Sequence, residues 1–386
     1  MDDTRRSRRR PSPRVRRRRR LVAAGGIALI VVIVAITAGI VIPRMVAASA
    51  SSPVESPTAG STPTPDSDFV PRTEAEMLLA RTDDRTACAV TFAGDGITED
   101  PVLEWQDKLY DHLPIPVRDG MVFAGWYTSP ADAAAYTIAA RVNGADAVTC
   151  TDRQITLNAA WKTPDENTAE NARIPILMYH QFTDDPNGID GWLRGNYAYI
   201  GDFDAQMNHI ATTGFYLPTW QELSAFIDGR LFLPNHSVII TDDDADQTWF
   251  DLAAPVVAKY KLLTTSFMIT AYRQDPPPNI YVLRRSHTHD MHQAGDNGQG
   301  RMVNWSADQI AADLEASAAV LGVKEVIAYP FGHYNDTAKQ GVTQAGFEMA
   351  RTIEPGYVSI GTDKLALPVV RINYGMGLND LINSIG

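Results

Sequence analysis

The feature that most restricts the fold is an alternation of apolar, strand-like segments with helical segments in the second half of the chain, residues 171–386. The strand-like segments are residues 174–179, 237–241, 264–270 and 325–329, and the helical ones are 202–213, 247–260 and 306–321. Repeated β-then-α units predict a parallel sheet or barrel with helices outside it. In such folds the chemistry lies at the carboxyl ends of the strands, so the polar clusters that follow these strands are the candidate site.

The first 42 residues have the composition of a membrane anchor. Residues 1–20 contain eleven Arg and two Asp, and residues 21–42 contain neither a charge nor a proline. At 1.5 Å per residue, a helix over these 22 residues is roughly 33 Å long, enough to cross a bilayer core. We therefore expect a single-pass protein of the cell membrane, with a basic cytoplasmic tail and an extracytoplasmic remainder. The small residues 47–50 leave a cleaved signal peptide as the alternative.

The charge distribution excludes two classes of partner. The whole chain has a net charge of −12 despite its basic tail, so the remainder is strongly acidic. An acidic extracytoplasmic part argues against nucleic acid and against an anionic membrane surface as the main partner. Residues 47–71 are rich in Ser, Thr, Pro and Ala and predict an extended linker.

Residues 73–165 predict a small β-rich module, with strands near residues 89–92, 121–127 and 154–161. Its pattern resembles the Listeria–Bacteroides extracellular repeat, a β-grasp-like module; the matching segments are residues 90–92, 123–128, 155–157 and 160–162. Trp126 and Trp161 are either a sugar platform or core residues. Cys88 and Cys150 bracket most of the module, and in an exported chain they predict a disulfide; two buried free thiols are the alternative.

Two clusters contain metal-binding residue types. Asp242, Asp243 and Asp244 directly follow an apolar strand, and three adjacent carboxylates repel one another unless a cation or hydrogen bonds compensate them. His287, His289 and His292 lie within six residues, together with Asp290. Imidazoles with a carboxylate are the ligand pattern of catalytic zinc. A solvated acidic loop and a surface histidine cluster are the corresponding alternatives.

Two further features complete the candidate site. Residues 329–333, Tyr-Pro-Phe-Gly-His, follow a strand and predict a sharp turn that presents backbone N–H groups. Arg371 follows the apolar residues 367–370, and it either pairs with one of the aspartates or lies at the surface.

In their order along the chain, these residues resemble the polysaccharide deacetylase family, the NodB-homology carbohydrate esterases. The family's opening Tyr-His pair is matched by Tyr179-His180, its first motif by residues 241–245, its second by His287-Thr288 with His292, and its third by residues 329–332. Asp242 and Ala245 replace the Phe and Gly of the first motif, and the histidine spacing is five. The Arg that usually precedes the proline turn and the C-terminal His motif are not found.

The resemblance implies a (β/α) barrel-like fold and a role for each residue. Asp244, His287 and His292 would bind zinc or another divalent transition metal, and Asp243 would be the general base. Arg371 would keep Asp243 ionised, and the turn formed by Tyr329, Pro330, Phe331 and His333 would contact substrate and the oxyanion. His180 is the first candidate proton donor and His333 the second, while His289 and Asp290 support the ligands or the structure.

The implied reaction removes acetyl groups from N-acetylglucosamine units of a cell-envelope polysaccharide, either peptidoglycan or an exopolysaccharide. A catalytically silent, metal-holding glycan-binding protein is the first alternative. A hydrolase of the same fold that acts on a non-glycan amide is the second.

Overall fold

The computed structural model describes residues 72–111, 113–273 and 275–386. The predicted cytoplasmic tail at 1–20, the anchor at 21–42 and the linker at 47–71 lie outside these ranges. Within the described ranges, no helix combines the length and the apolarity that crossing a bilayer requires.

The N-terminal module is a mixed five-stranded sheet with three short helices. Its elements are α1 (Glu74–Leu79), β1 (Ala87–Ala93), β2 (Val102–Trp105), β3 (Val122–Tyr127), α2 (Pro130–Ala135), β4 (Arg141–Val142), β5 (Gln154–Lys162) and α3 (Pro164–Glu170). The strand order is β2-β1-β5-β3-β4, with β1 and β5 parallel and the other pairs antiparallel. The three predicted strands are confirmed, whereas the resemblance of the module to a named repeat stays a prediction.

The core of the module shows the roles of its tryptophans and its cysteines. Trp126 is only 2% exposed and donates its indole N–H to the Pro114 carbonyl at 2.8 Å, so it is a core residue and not a sugar platform. Trp161 is partly buried and packs edge-on against the Phe123 ring. Cys88 and Cys150 form a disulfide that closes a loop of 62 residues.

The second part of the chain is a closed barrel of seven parallel strands. Its elements are β6 (Ile176–Tyr179), β7 (Gln181–Thr183), β8 (Tyr197–Tyr199), α4 (Ile200–Thr212), α5 (Trp220–Ile227), β9 (Ile239–Asp242), α6 (Ala254–Tyr260), β10 (Thr264–Met268), β11 (Val282–Ser286), α7 (Ala307–Leu321), β12 (Val326–Ala328), α8 (Asp336–Gln344), β13 (Met349–Pro355), β14 (Leu367–Arg371) and α9 (Leu378–Ile385). The order around the barrel is β6-β9-β10-β11-β12-β13-β14, while β7 and β8 form a separate parallel pair. The predicted barrel architecture is confirmed.

Side chains alternate between the barrel interior and the helices, as the two-residue period of a strand requires. On β9, Ile239 packs with Phe267 and Met178 inside the barrel, while Ile240 packs outward against the helices α4 and α6. This alternation fixes which face each residue at the strand end takes. The helices also follow local rules: the Ser306 side chain accepts the Gln309 N–H in a capping box at the start of α7, as predicted.

The module packs against the barrel on the side where the strands begin. Phe232, between α5 and β9, donates its N–H to the Phe123 carbonyl at 2.8 Å. The buried guanidinium of Arg141 donates to the Phe232 carbonyl at 3.0 Å, lies 3.5 Å from the Glu222 carboxylate and covers the Tyr216 ring at 4.3 Å. A cation from the module therefore compensates a carboxylate that the barrel buries.

Replacing Arg141 by alanine should lower the free energy of unfolding by about 3 kcal/mol, because the buried Glu222 carboxylate loses its cation. Arg230→Ala is the control, since Arg230 is a half-exposed member of a surface pair with Asp228 and its loss should cost less than about 1 kcal/mol. Urea unfolding of both variants measures the difference. Equal, small losses would contradict a structural role for the Arg141–Glu222 contact.

Candidate active site

The acid cluster and the histidine segment meet at the barrel mouth, where the strands end. Asp243 donates its N–H to the Tyr179 carbonyl at 2.9 Å, and His287 donates its N–H to the Met268 carbonyl at 2.9 Å. These bonds continue the strand ladders by one residue beyond β9 and β11. The two clusters therefore lie at neighbouring points of the mouth although 43 residues separate Asp244 from His287.

Three of the predicted metal ligands converge. The Oδ1 atom of Asp244 lies 3.3 Å from Nε2 of His287 and 3.2 Å from Nε2 of His292, and all the ligand atoms lie within 4.8 Å of one another. Two atoms bound to a tetrahedral zinc at 2.0–2.1 Å are separated by about 3.3 Å, so the two carboxylate–imidazole separations match such an ion. The buried Asp244 Oδ1 atom also has no hydrogen bond within the described structure. A buried carboxylate oxygen of this kind is open to a water molecule or a cation.

Hydrogen bonds orient two of the ligands. His287 Nδ1 lies 2.9 Å from the Ala328 carbonyl, which requires the proton on Nδ1 and leaves the Nε2 lone pair for a metal. The Gln181 amide donates to Asp244 Oδ2 at 3.4 Å, which leaves Oδ1 as the ligand atom. Gln181 was not predicted from the sequence.

The pKa values of the three candidate ligands show which of them is charged when no metal is bound. Burial raises the pKa of Asp244, but the neighbouring His287 outweighs burial and brings it well below its usual range. Burial opposes the charged form of His287, yet the carboxylates of Asp244 and Asp243 raise its pKa above 6.5. Burial and the charge of His287 lower the pKa of His292 to about 4. At neutral pH the metal-free site therefore contains an ionised carboxylate and a neutral His292.

Asp243 is paired with Arg351, and the prediction that Arg371 holds it is wrong. Arg351 lies on β13, has no exposed surface, and donates directly to Asp243 Oδ1. The Arg371 guanidinium instead contacts the side chains of Asn196 and Asn373 at the rim of the mouth. Burial raises the pKa of Asp243, but the Arg351 charge reverses this effect, and the carboxyl is ionised with a lowered pKa.

Arg351 was not predicted as a site residue, although one feature of the sequence around it indicates a buried ion pair. It is a single arginine within a segment whose first four residues, 349–352, are all buried. Met349 faces the barrel interior and Ala350 faces outward, so the alternation turns Arg351 inward. A lone cation at an inward position of a buried strand needs an anionic partner.

His180 lies beside the second oxygen of Asp243. Its Nε2 atom is 3.7 Å from Asp243 Oδ2, and its side chain is 13% exposed. Burial lowers the pKa of His180 against the opposing charges of Asp243 and Asp244, so the imidazole is neutral at pH 7.

The proline turn contributes one ring to the mouth. Phe331 is 42% exposed, and its ring lies 4.2 Å from that of His292. Tyr329 is instead buried, donates its hydroxyl to the Leu365 carbonyl and stacks on Tyr334, so its predicted contact with substrate is wrong. Pro330 is buried within the turn.

Among the remaining histidines near the mouth, His333 accepts the Gly300 N–H on Nδ1 at 2.9 Å and thereby supports a loop. His289 pairs with the Thr270 hydroxyl, and Asp290 forms an ion pair with Arg301. Asp313 accepts the backbone N–H groups of both His289 and Asp290. The structural role predicted for these two residues agrees with these contacts.

The two departures in the first motif leave the three ligands in place. Asp242 is in register with Tyr179 and Ser266, so it faces outward, and it accepts the Ser266 hydroxyl at 3.1 Å. Burial and the charge of Asp243 raise its pKa well above the usual range, which favours the protonated, uncharged form. Ala245 occupies the left-handed region with φ = 50°, a conformation that favours glycine.

Four non-glycine residues at the site have a strained backbone conformation. Asp244, Ala245, Thr288 and Phe331 all have φ between 50° and 74°. Such conformations cost about 1–3 kcal/mol each and cluster at functional sites.

Comparison with known proteins agrees with this arrangement. Residues 233–350 match the family model described as Polysaccharide deacetylase, a range that contains Asp243, Asp244, His287 and His292 and ends one residue before Arg351. A poly-beta-1,6-N-acetyl-D-glucosamine N-deacetylase of Staphylococcus aureus (strain MRSA252) is 27% identical over 161 residues, which is 36% of this chain and 56% of the relative. The chain thus spans about half the length of the curated relatives it matches.

Solved structures with a similar fold include the Streptococcus pyogenes deacetylase PplD in complex with acetate. It is 21% identical, with a TM-score of 0.47 over 56% of this chain and 99% of that one. IcaB from Ammonifex degensii is 20% identical, with a TM-score of 0.42 over 52% of this chain and 91% of that one. These comparisons show that residues 233–350 are similar in sequence to polysaccharide deacetylases.

The lowered pKa of His292 predicts a pH dependence of stability for the metal-free protein. Between pH 6.5 and 4, the unfolded chain binds a proton at this residue that the folded chain does not. Stability should therefore fall as the pH falls through this window, by up to about 3 kcal/mol. His292→Gln should reduce this slope, although His180 with its lowered pKa still contributes in the same direction, and His289→Gln, from the same segment, should keep it. Denaturant unfolding with a chelator across the window measures both, and equal slopes in all three proteins would contradict the prediction.

Proposed function

We propose that the chain is a metal-dependent hydrolase that removes N-acetyl groups from N-acetylglucosamine units of a cell-envelope polysaccharide. The observation that carries this proposal is the convergence of Asp244 Oδ1 with two imidazole Nε2 atoms, next to the ionised Asp243. A ligand site beside a free carboxylate has the parts that metal-assisted hydrolysis requires.

The donor set selects the type of cation. Two imidazoles and one carboxylate suit zinc, cobalt or nickel, and three protein ligands leave a position open. The bound cation would lower the pKa of a water molecule and polarise the acetyl carbonyl.

Asp243 is the proposed general base. Arg351 occupies its Oδ1 atom, while Oδ2 points toward His180. The free Oδ2 oxygen takes a proton from the attacking water, the water oxygen bonds to the acetyl carbon, and a tetrahedral oxyanion forms. The lowered pKa of Asp243 keeps this oxygen available at neutral pH.

The leaving nitrogen must then receive a proton as its bond to the acetyl carbon breaks. Asp243 returns the proton that it took, either directly or through His180, whose Nε2 atom is 3.7 Å away. Because His180 is neutral at pH 7, it can give up only a proton gained during the cycle. Acetate and a free amine are the products.

Two observations support the substrate. The staphylococcal relative is named for poly-β-1,6-linked N-acetylglucosamine. The predicted anchor and linker would keep the domain near the cell's own envelope, as a single-pass protein of the cell membrane.

A second candidate, a silent glycan-binding protein that holds a metal, is favoured by the replacement of two first-motif residues. Against it, Asp242 faces away from the ligands, burial raises the pKa of its carboxyl, and Ala245 adopts the required conformation. The hydrolase is therefore the better-supported function.

Asp243→Asn should lower the rate of acetate release from a β-1,6-linked N-acetylglucosamine oligomer roughly 10²–10⁴-fold, because the general base is lost. The variant should still retain zinc, since Asp244, His287 and His292 are unchanged. Acetate assay and elemental analysis of the full-length protein measure the two properties.

His289→Gln is the matched control and should keep both acetate release and zinc. Zinc retention by the unmodified protein without acetate release from any glycan would favour the silent binding protein instead. Release from small amides but not from glycans would favour the non-glycan hydrolase.

A further inference from the structure

Exposed aromatic rings are concentrated at the barrel mouth. Among the large apolar side chains that are exposed in the described residues, four are aromatic: Trp192 at 91%, Tyr272 at 70%, Phe331 at 42% and Trp105 at 37%. Trp105 lies on the module, whereas the other three follow β6, β10 and β12. Parallel strands end on one side of a barrel, so these three rings lie on the same side as the metal ligands. Phe331 already contacts His292, whereas the side chains of Trp192 and Tyr272 remain largely exposed.

The loop that presents Trp192 is fixed at several points. Tyr374 donates its hydroxyl to the Pro186 carbonyl at 2.8 Å, and the Arg194 guanidinium covers the Tyr374 ring at 4.4 Å. Arg194 also donates to the Asn187 carbonyl at 2.8 Å. At Gly188, any Cβ would lie 2.4 Å from the Tyr374 ring, so the loop packs tightly there. The scaffold therefore holds this loop in place while the indole remains almost fully in water.

The same loop returns to the edge of the candidate site. Tyr197, on β8, is in register with Gln181, which contacts the ligand Asp244. Asn196 accepts from Arg371 at 2.7 Å. Trp192 is four residues from Asn196, so the chain places its Cα within about 14 Å of that residue. Trp192 therefore lies on a loop that ends at the rim of the mouth.

Tyr272 lies on another part of the rim. Its hydroxyl accepts from the Gln293 amide at 3.1 Å, one residue from the ligand His292. Around the barrel, β9 separates β6 from β10, so Trp192 and Tyr272 follow strands on either side of the strand that precedes Asp244. The two rings thus flank the acid cluster.

We propose that Trp192 and Tyr272 are stacking platforms for sugar rings on either side of the residue that loses its acetyl group. This inference rests on the proposed function and adds that the substrate is an internal segment of a chain of N-acetylglucosamine units. A sugar ring combines a polar edge with an apolar C–H face, and an exposed, positioned aromatic ring matches that face. Two aromatic rings on separate loops can each stack on one sugar of a chain. A continuous apolar surface of a partner protein would instead require a continuous apolar patch.

Activity on substrates of different length tests the proposal. In the full-length zinc-loaded protein, Trp192→Ala should lower kcat/KM for a β-1,6-linked N-acetylglucosamine hexasaccharide about tenfold, mainly through KM. The disaccharide, too short to reach the platform, should change less than about twofold. Tyr272→Ala should act in the same direction, and Trp192→Phe should restore most of the loss. Trp105→Ala removes an exposed indole from the module and should change neither substrate.

Equal losses on both substrates, or no loss on the hexasaccharide, would overturn the proposal. Binding separates this result from failure of the proposed function. In an Asp243→Asn background, calorimetry with the intact hexasaccharide should give a Kd that Trp192→Ala weakens about tenfold. If the wild-type protein released no acetate but this difference in Kd remained, the result would support the stacking platforms and contradict the proposed hydrolase activity. An unchanged Kd would refute the platforms.

Discussion

The site depends on the close approach of one carboxylate oxygen to two imidazole nitrogens. Asp244 Oδ1 lies 3.2–3.3 Å from each Nε2 atom, in the mouth of a barrel that leaves these groups only partly exposed. Without a cation, a proton on His287 must balance the carboxylate, and this requirement raises the pKa of that histidine. The surrounding structure holds the three atoms at this spacing through the Ala328 carbonyl, the Gln181 amide and a strained left-handed turn. A pre-formed ligand set of this kind lowers the cost of ordering the site when a metal binds.

The alternation of a β-strand gives three consecutive aspartates three different states. Asp242 faces the outer helices, where burial raises the pKa of its carboxyl. Asp243 faces the barrel interior, where Arg351 keeps it ionised. Asp244 lies beyond the strand in the left-handed region, where it meets the histidines. The repulsion expected from three adjacent carboxylates is therefore relieved by the raised pKa of Asp242, the buried Arg351 beside Asp243 and the two imidazoles beside Asp244. This division also explains how Asp can replace Phe in the first motif, since that side chain does not face the ligands.

The sequence predicted the barrel and the ligand set because both depend on local patterns. The strand and helix periods identified the βα units, and the motif order identified Asp243, Asp244, His287 and His292. Predictions from the sequence were wrong for contacts that depend on the order and register of the strands. Arg351 and Arg371 lie on neighbouring strands, and only the barrel shows that the first points at Asp243 while the second contacts asparagines at the rim. Tyr329 was misplaced for a related reason, since the strand alternation turns its ring into the outer core. The contact between the module and the barrel through Arg141 could not be predicted from a local sequence pattern, because its partner Glu222 lies 81 residues away.

Anomalous X-ray diffraction at the zinc edge, from crystals of the full-length protein grown with zinc, is the most direct test of the site. The account predicts one strong peak within about 2.0–2.2 Å of Asp244 Oδ1, His287 Nε2 and His292 Nε2. It also predicts that Asp243 remains unbound and paired with Arg351. A zinc ion bound elsewhere, or Asp244 and the two histidines pointing apart with no peak between them, would contradict the account.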